Sequence, residues 1–381
     1  MRLPRDPVRR RRLLALGVVA AVAVATGIVL GGGDDETTDE RERGSAPPST
    51  APRLPLPEAV GQTLVMSFDG TSAPGYIRRR LRDGEGSGVI LFGGNVGDAA
   101  QLRRLTRAVQ RAARGGALIA TDQEGGEIRN VPFAGPVATQ SALDSPEAAY
   151  VAATEAARGL RRVGVNVNLA PVADVDPPTG GGALAGRLYP GLADRVADLT
   201  TAALRAHARA GVAATAKHFP GLGRATVNTD DGSATIEATR AQLETSDVEP
   251  FRAAVAADVP LIMAGHAVYT GVDSENIASQ SPTLLTDVLR DQLGFRGVTI
   301  TDSIEAQAVL DRSDIATAAA RSIAAGADIV LMTGSGSWNL VYPRLLRRAR
   351  RDPAFAARVR ASARRVLALK RRLGLRATTG G

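Results

Sequence analysis

Short runs of Val, Ile and Leu recur along this chain at residues 64–68, 88–92, 117–121, 165–169, 213–218, 261–266, 298–301 and 328–332. Between them lie stretches with apolar side chains at helical spacing, at 99–114, 146–163, 192–210, 245–257 and 314–325. Runs that are apolar at every position suit parallel strands covered on both faces, whereas one-sided strands would alternate. Eight such runs interleaved with helices predict an α/β fold, a single (β/α)8 barrel of the TIM type, in preference to an open doubly wound sheet. The unit around the fourth run is the least regular, because residues 177–182 carry Pro and Gly and read as a long loop.

The N-terminus follows another pattern. Arg9 to Arg12 precede residues 13–30, which hold no charge, and three glycines and the acids Asp34, Asp35 and Glu36 come next. A hydrocarbon core takes roughly 20 apolar residues, so 13–30 is expected to span a membrane with the arginines in the cytoplasm, or to act as a secretory signal cleaved near Ala23-Val24-Ala25. Both alternatives export the body. Residues 31–56 are charged, then rich in Ser and Pro, and read as a disordered linker. The expected organisation is therefore a basic cytoplasmic flank at 1–12, the apolar segment at 13–30, the linker at 31–56 and the barrel at 57–381.

Composition changes this picture in two places. With 44% apolar residues but only 3% aromatic ones, the core must be built from Ala, Val, Leu and Ile. Cysteine is absent, which excludes disulfides, thiolate metal sites and thiol nucleophiles. The net charge of +8 comes from the C-terminal stretch, where residues 344–376 hold thirteen Arg and Lys against Asp352 alone. That stretch reads as a terminal helix with an apolar stripe through Val359, Val366, Leu369 and Leu373. No aromatic side chains are interleaved for base stacking, so nucleic acid is not expected as a partner.

Candidate chemistry gathers where the runs end, which in such a barrel is the face that carries the site. Asp69, Asn95, Asp122, Asn168, Asp174, Lys217, His218, His266 and Asp302 all stand there. Lys217 and His218 are conspicuous, because the chain has 45 arginines but only two lysines and three histidines. Polar and ionisable groups at so many strand ends point to a small polar ligand, and no metal-binding or cofactor motif accompanies them.

The segments GVILFGGN (88–95), ATDQEGG (120–126), VNLAPVADV (167–175), GRLYPGLADRV (186–196), KHFPGLG (217–223), LIMAGH (261–266) and GVTITDSIEAQAV (297–309) resemble family 3 of the glycoside hydrolases. The likeness is to its single-barrel bacterial β-N-acetylglucosaminidases and runs from about residue 57 to about residue 375. It implies a retaining hydrolase of a terminal β-linked sugar, most simply N-acetylglucosamine from cell-wall or chitin-type glycans, with Asp302 as nucleophile. It also implies sugar contacts from Asp122, Arg187, Lys217, His218 and His266. Those enzymes carry KHFPGHG and then an Asp-Ser-His triplet whose histidine is the acid/base; here Leu222 and Asn228-Thr229-Asp230 occupy those places. Asp230, or Asp231 beside it, is the expected replacement, with Glu127 and Glu305 on other loops as alternatives. Loss of turnover, leaving a glycan-binding module, is the non-enzymatic alternative, and a β-glucosidase-type hydrolase is another. The glycines flanking Leu222 suggest a mobile lid.

Overall fold

Eight parallel strands close on one another, and each forms where an apolar run was expected. They are β1 (Leu64–Met66), β2 (Gly88–Ile90), β3 (Leu118–Thr121), β4 (Val167–Asn168), β5 (Ala213–Phe219), β6 (Leu261–Ala264), β7 (Val298–Ser303) and β8 (Ile329–Leu331). Each pairs in parallel with the next in the chain, and β8 returns to β1 through Leu64↔Val330 and Val65↔Leu331. This computed structural model describes residues 54–177, 180 and 182–377. The basic flank, the apolar segment 13–30 and most of the linker fall outside the described residues. Among the described residues no helix is long and apolar enough to cross a membrane.

The helices start where short polar side chains satisfy free backbone N–H groups. Asp98 accepts from Gln101 N at 2.7 Å before the helix Ala99–Ala112, and Ser145 accepts from Ala148 N before Pro146–Arg162. Asp314 caps Ile315–Ala325 in the same way, and Asp352, followed by Pro353, opens the helix Pro353–Arg372. The helix Ala193–Ala210 ends on Gly211, whose φ of 71° is the left-handed conformation that closes a helix at least cost in glycine. Helices Leu56–Gln62, Gly75–Arg82, Thr283–Gln292 and Trp338–Arg351 complete the ring beyond those predicted.

The lower end of the barrel, where strands begin, is plugged by the terminal helix. Val366 and Leu369, with Leu373 and Leu375 beyond the helix end, pack on the inward side chains Val65, Ile90, Leu118 and Ile329. A buried ion cluster ties the same end together. Asp328, at the start of β8, is fully buried and takes Arg290 Nη2 at 2.5 Å on one oxygen and Arg358 and Arg365 at 3.1 Å on the other. Burial lowers the Arg290 guanidinium to about 10, with Asp328 pulling the other way.

Above the barrel stands a feature that the apolar runs did not announce. Strands Thr235–Thr239, Val268–Gly271 and Asp273–Ile277 form a small sheet over the ends of β5 and β6, with Val268–Gly271 in the centre. Tyr269 is buried beneath it and its hydroxyl donates to Gly221 O at 2.9 Å, which holds the loop after β5.

The second lysine, Lys370, lies in the terminal helix with its ammonium buried against Gln62 Oε1 at 2.7 Å. Burial without an acid partner pushes it down from 10.5 to about 7. Between those two values the unfolded chain holds a proton that the folded chain has shed. The fold therefore weakens as pH falls from about 10.5 to about 7, below which the penalty stays constant. Lys370→Met combined with Gln62→Leu, so that no carbonyl is orphaned, is expected to raise the thermal midpoint at neutral pH by about 5 °C or more. Thermal melts across pH check this: the gain should shrink toward pH 10 to 11.

Candidate active site

The strands deliver their last residues to one cavity of about 450 Å³ at the upper end of the barrel. β3 contributes Asp122 and, two residues on, Glu124; β5 contributes Lys217 and His218; β7 contributes Asp302. Neighbouring residues on a regular strand face opposite ways, yet Lys217 and His218 both line the cavity. The ladder between β5 and β6 shifts register between Ala216 and Phe219, the kind of irregularity that re-aims side chains at a strand end. The long connection after β4 adds Arg187, and the loop after β5 adds Leu222, Asn228 and Asp230.

Lys217 fixes the floor. Its side chain is 2% exposed, and its ammonium lies 2.7 Å from Asp122 Oδ1 and 2.6 Å from Glu124 Oε1. Burial alone would favour neutral lysine, but Asp122 and Glu124 reverse this and raise its pKa. Glu124 is equally buried and also receives both Nε and Nη2 of Arg187, at 2.9 and 2.8 Å, in a two-pronged pair. Burial would raise the Glu124 carboxyl, yet Lys217 and Arg187 pull it down to about 2. All three are therefore charged. Two of the three ammonium protons are used, which leaves Lys217 one donor for a ligand.

One step away the ring of His218 is held by Asp174. Nδ1 donates to Asp174 Oδ2 at 2.7 Å, while the other oxygen accepts from the backbone N of His218 at 3.0 Å and of Leu222 at 2.6 Å. That aims Nε2 at Asp302 Oδ2, 3.8 Å away. Burial would raise the Asp302 carboxyl, but His218, His266, Lys217 and the Ser303 N–H outweigh it, so Asp302 is ionised more readily than a free aspartate. Asp230 is pushed the other way, first by loss of solvent around its carboxyl and then by the negative charge of Asp302. Asp230 itself is an exposed residue at the rim of the cavity. One cavity thus holds a carboxyl biased toward ionisation and another biased toward retaining its proton.

Several expectations from the sequence need correction. His266 ends β6 but is fully buried and turned away from the cavity: its ring pairs with Ser279 Oγ and with Ser303 O, each at 2.8 Å. Burial lowers its pKa, and the ring braces the end of β7 through Ser303 O. Asn95 and Asn168 are buried and bond to the backbones of neighbouring loops, and neither Asn95, Asn168 nor Asp69 lines the cavity. Asp231 is exposed in a turn and does not line it either, whereas Asp230 does. Of the alternative acids, Glu127 reaches the cavity mouth, and Glu305 is bound to Thr333 N at 2.8 Å behind it.

The loop after β5 is not built as a free lid. Leu222 is 1% exposed, and a Cβ on Gly223 would meet Val175 O at 1.9 Å, so that glycine serves close approach. Arg224 bonds Asp247 with Nε at 3.0 Å from both oxygens. Further along, Ala308 N donates to Thr229 O at 3.1 Å and Gln307 N to Asp230 O at 3.2 Å, which docks the loop onto the segment after β7. Glu124 and Asp174 were not singled out for these roles from the sequence. For Glu124 a signal existed, since two residues apart on an extended chain places it on the same side as Asp122.

The description "glycosyl hydrolase family 3 N terminal domain" fits residues 57–369. An uncharacterised secreted glycosyl hydrolase of Arthroderma benhamiae is 33% identical over 297 residues, covering 74% of this chain and 84% of the relative. A β-hexosaminidase of Xanthomonas oryzae pv. oryzae is 33% identical over 279 residues, covering 71% of this chain and 83% of that one. A solved family 3 β-N-acetylglucosaminidase from Paenibacillus sp. superposes with a TM-score of 0.80 at 31% identity, covering 86% of this chain and 64% of that longer chain. With the closed barrel and its acidic cavity already in place, these likenesses leave one assignment: the chain belongs to glycosyl hydrolase family 3.

Proposed function

We propose that this protein is a retaining β-N-acetylhexosaminidase that removes terminal N-acetylglucosamine from cell-wall or chitin-type glycans, with Asp302 as nucleophile and Asp230 as acid/base. The observation that carries this reading is the opposed bias of the two carboxyls facing one cavity. Groups whose surroundings push their pKa values apart divide the roles of nucleophile and acid. The Xanthomonas oryzae β-hexosaminidase and the Paenibacillus β-N-acetylglucosaminidase support the choice of sugar.

In the first step the Asp302 carboxylate attacks the anomeric carbon while the bond to the aglycone oxygen breaks, and Asp230 gives that oxygen its proton. In the second, Asp230 takes a proton from water, the resulting hydroxide adds to the same carbon, and Asp302 leaves as carboxylate. Arg187, Lys217, Asp122 and His218 hold the sugar ring, because charge-assisted bonds to hydroxyls and the acetamido carbonyl fix its orientation. Asp174 keeps His218 in place, and Glu124 keeps the two cations in place. The secreted relative supports action outside the cytoplasm, with residues 13–30 as membrane anchor or signal. Finding the full-length, uncleaved chain in the soluble cytoplasmic fraction would remove that part of the proposal.

Asp302→Asn is expected to abolish turnover of an aryl β-N-acetylglucosaminide while thermal stabilisation by N-acetylglucosamine persists. Activity near wild type in that variant would exclude Asp302 as nucleophile. Asp230→Ala should cost about 10²- to 10⁴-fold on a natural disaccharide and far less on an activated aryl glycoside, with the alkaline limb of the kcat/KM profile lost. Added azide should restore the aryl reaction and yield the β-glycosyl azide. Equal, small losses on both substrates would move the acid role to another residue.

Glu124→Gln leaves Lys217 and Arg187 short of a shared charge, and breaking such a buried pair costs about 3–5 kcal/mol. Urea unfolding at pH 7 measures that loss. The Glu124 contribution is complete above its ordinary value of 4.5 and lost as pH falls toward about 2, so the variant should lack this part of the wild-type acid sensitivity. KM should rise more than kcat falls, because the ring contacts are disturbed and the reacting carboxyls are not.

A further inference from the structure

We infer that the lower end of the barrel, opposite the catalytic cavity, is a docking surface for an anionic lipid bilayer. That end is where strands begin, helices finish and the terminal helix lies across the opening. Exposed arginines surround it: Arg111 and Arg114 at the end of one helix, Arg350 and Arg351 at the end of another, and Arg364 and Arg371 on the outward side of the terminal helix. Arg376, just beyond, is held in the same surface by its N–H to Gly115 O at 3.1 Å. Against them stand the acids Asp83, Asp258, Asp291 and Asp352; Asp258 is already paired with Arg372 at 3.0 Å and Asp352 with Arg348 at 3.6 Å.

Helix dipoles favour cations at helix ends and account for part of this charge. They do not account for Arg364, which lies in the middle of its helix, or for Arg114 and Arg376, which lie past helix ends. A second observation names the occupant. The chain joins the body at this same end: Leu54 O accepts from Arg360 Nη1 of the terminal helix at 2.6 Å, and Tyr342 from the neighbouring helix reaches Pro57 O. Upstream lie the 23 residues 31–53 and then the apolar run 13–30. A link of 23 residues spans at most about 80 Å, so a bilayer holding the run lies within the chain's reach of this surface and of its guanidinium groups. The inference rests on the proposed membrane location of residues 13–30 only for that nearness. A bilayer on the lower end leaves the cavity, with Glu127, Asp230 and Asp302, facing away from the lipid and open to glycan. None of the exposed large apolar side chains Phe133, Val137, Val151, Leu192, Val227, Leu310 and Leu340 is an aromatic of this surface, so contact is with headgroups and not by insertion or base stacking.

The absence of cysteine allows single fluorescent labels on the full chain. Arg364→Cys labels the lower end, and Glu237→Cys labels the exposed edge of the upper sheet. The labelled chains are placed in nanodiscs of phosphatidylcholine alone or with phosphatidylglycerol, each carrying a headgroup quencher. The Arg364→Cys label should be quenched several-fold more in the anionic discs, and high salt should abolish the difference, while the Glu237→Cys label responds to neither. Arg114→Glu with Arg371→Glu should remove the difference and leave turnover of a soluble aryl glycoside and the thermal midpoint unchanged. If the chain fails to enter neutral discs, the tether reading fails by itself; salt-reversible flotation with anionic vesicles, lost in the double variant, still supports docking. Equal quenching of both labels, or quenching independent of lipid charge, overturns the inference. So does protection of the Arg364→Cys label by soluble polyphosphate and not by anionic discs.

Discussion

A full positive charge at the centre of the barrel sets the terms for everything above it. Lys217 is almost without solvent, and an ammonium there is tolerable only if carboxylates replace the water it has lost. Asp122 and Glu124 supply them from the end of β3, which β4 separates from β5 in the barrel. Glu124, being just as buried, needs a second cation, which Arg187 supplies from the long connection after β4. The same connection holds Asp174 against His218 before the chain enters the helix Ala193–Ala210. The nucleophile candidate Asp302 sits at the edge of the same network and shares its positive field.

The barrel was legible because its strands are buried on both faces and open on unbroken or nearly unbroken apolar runs, a pattern that survives in a chain poor in aromatics. Even β4, reduced to two paired residues, stood out through the run at 165–169. The small upper sheet was not legible. Its strands are short and mostly polar, and the alternation of exposed and buried residues in Thr235–Thr239 covers only five positions. The site was legible as a set of strand-end residues, and less so as a set of directions. His266 and Asp302 both end strands, yet one ring turns inward to brace a backbone and the other carboxyl opens to the cavity. Sequence gives a position along a strand but not which way an irregular strand end turns. For that reason Asp174 could be placed and its task of holding His218 could not.

The loop after β5 was expected to be loose because of its glycines, and those glycines instead allow backbones to meet at close range. Its attachment toward β7 runs through main-chain atoms, Thr229 O and Asp230 O, which are present whatever side chains the loop carries. A socket of this kind holds position independently of content. A residue at 230 is delivered to the cavity by its neighbours' peptide groups, so one proton-carrying side chain can replace another there without the loop having to be rebuilt. Position and content are thereby uncoupled in this loop: the place of residue 230 is set by peptide groups, and the side chain it carries can change while those contacts stay as they are.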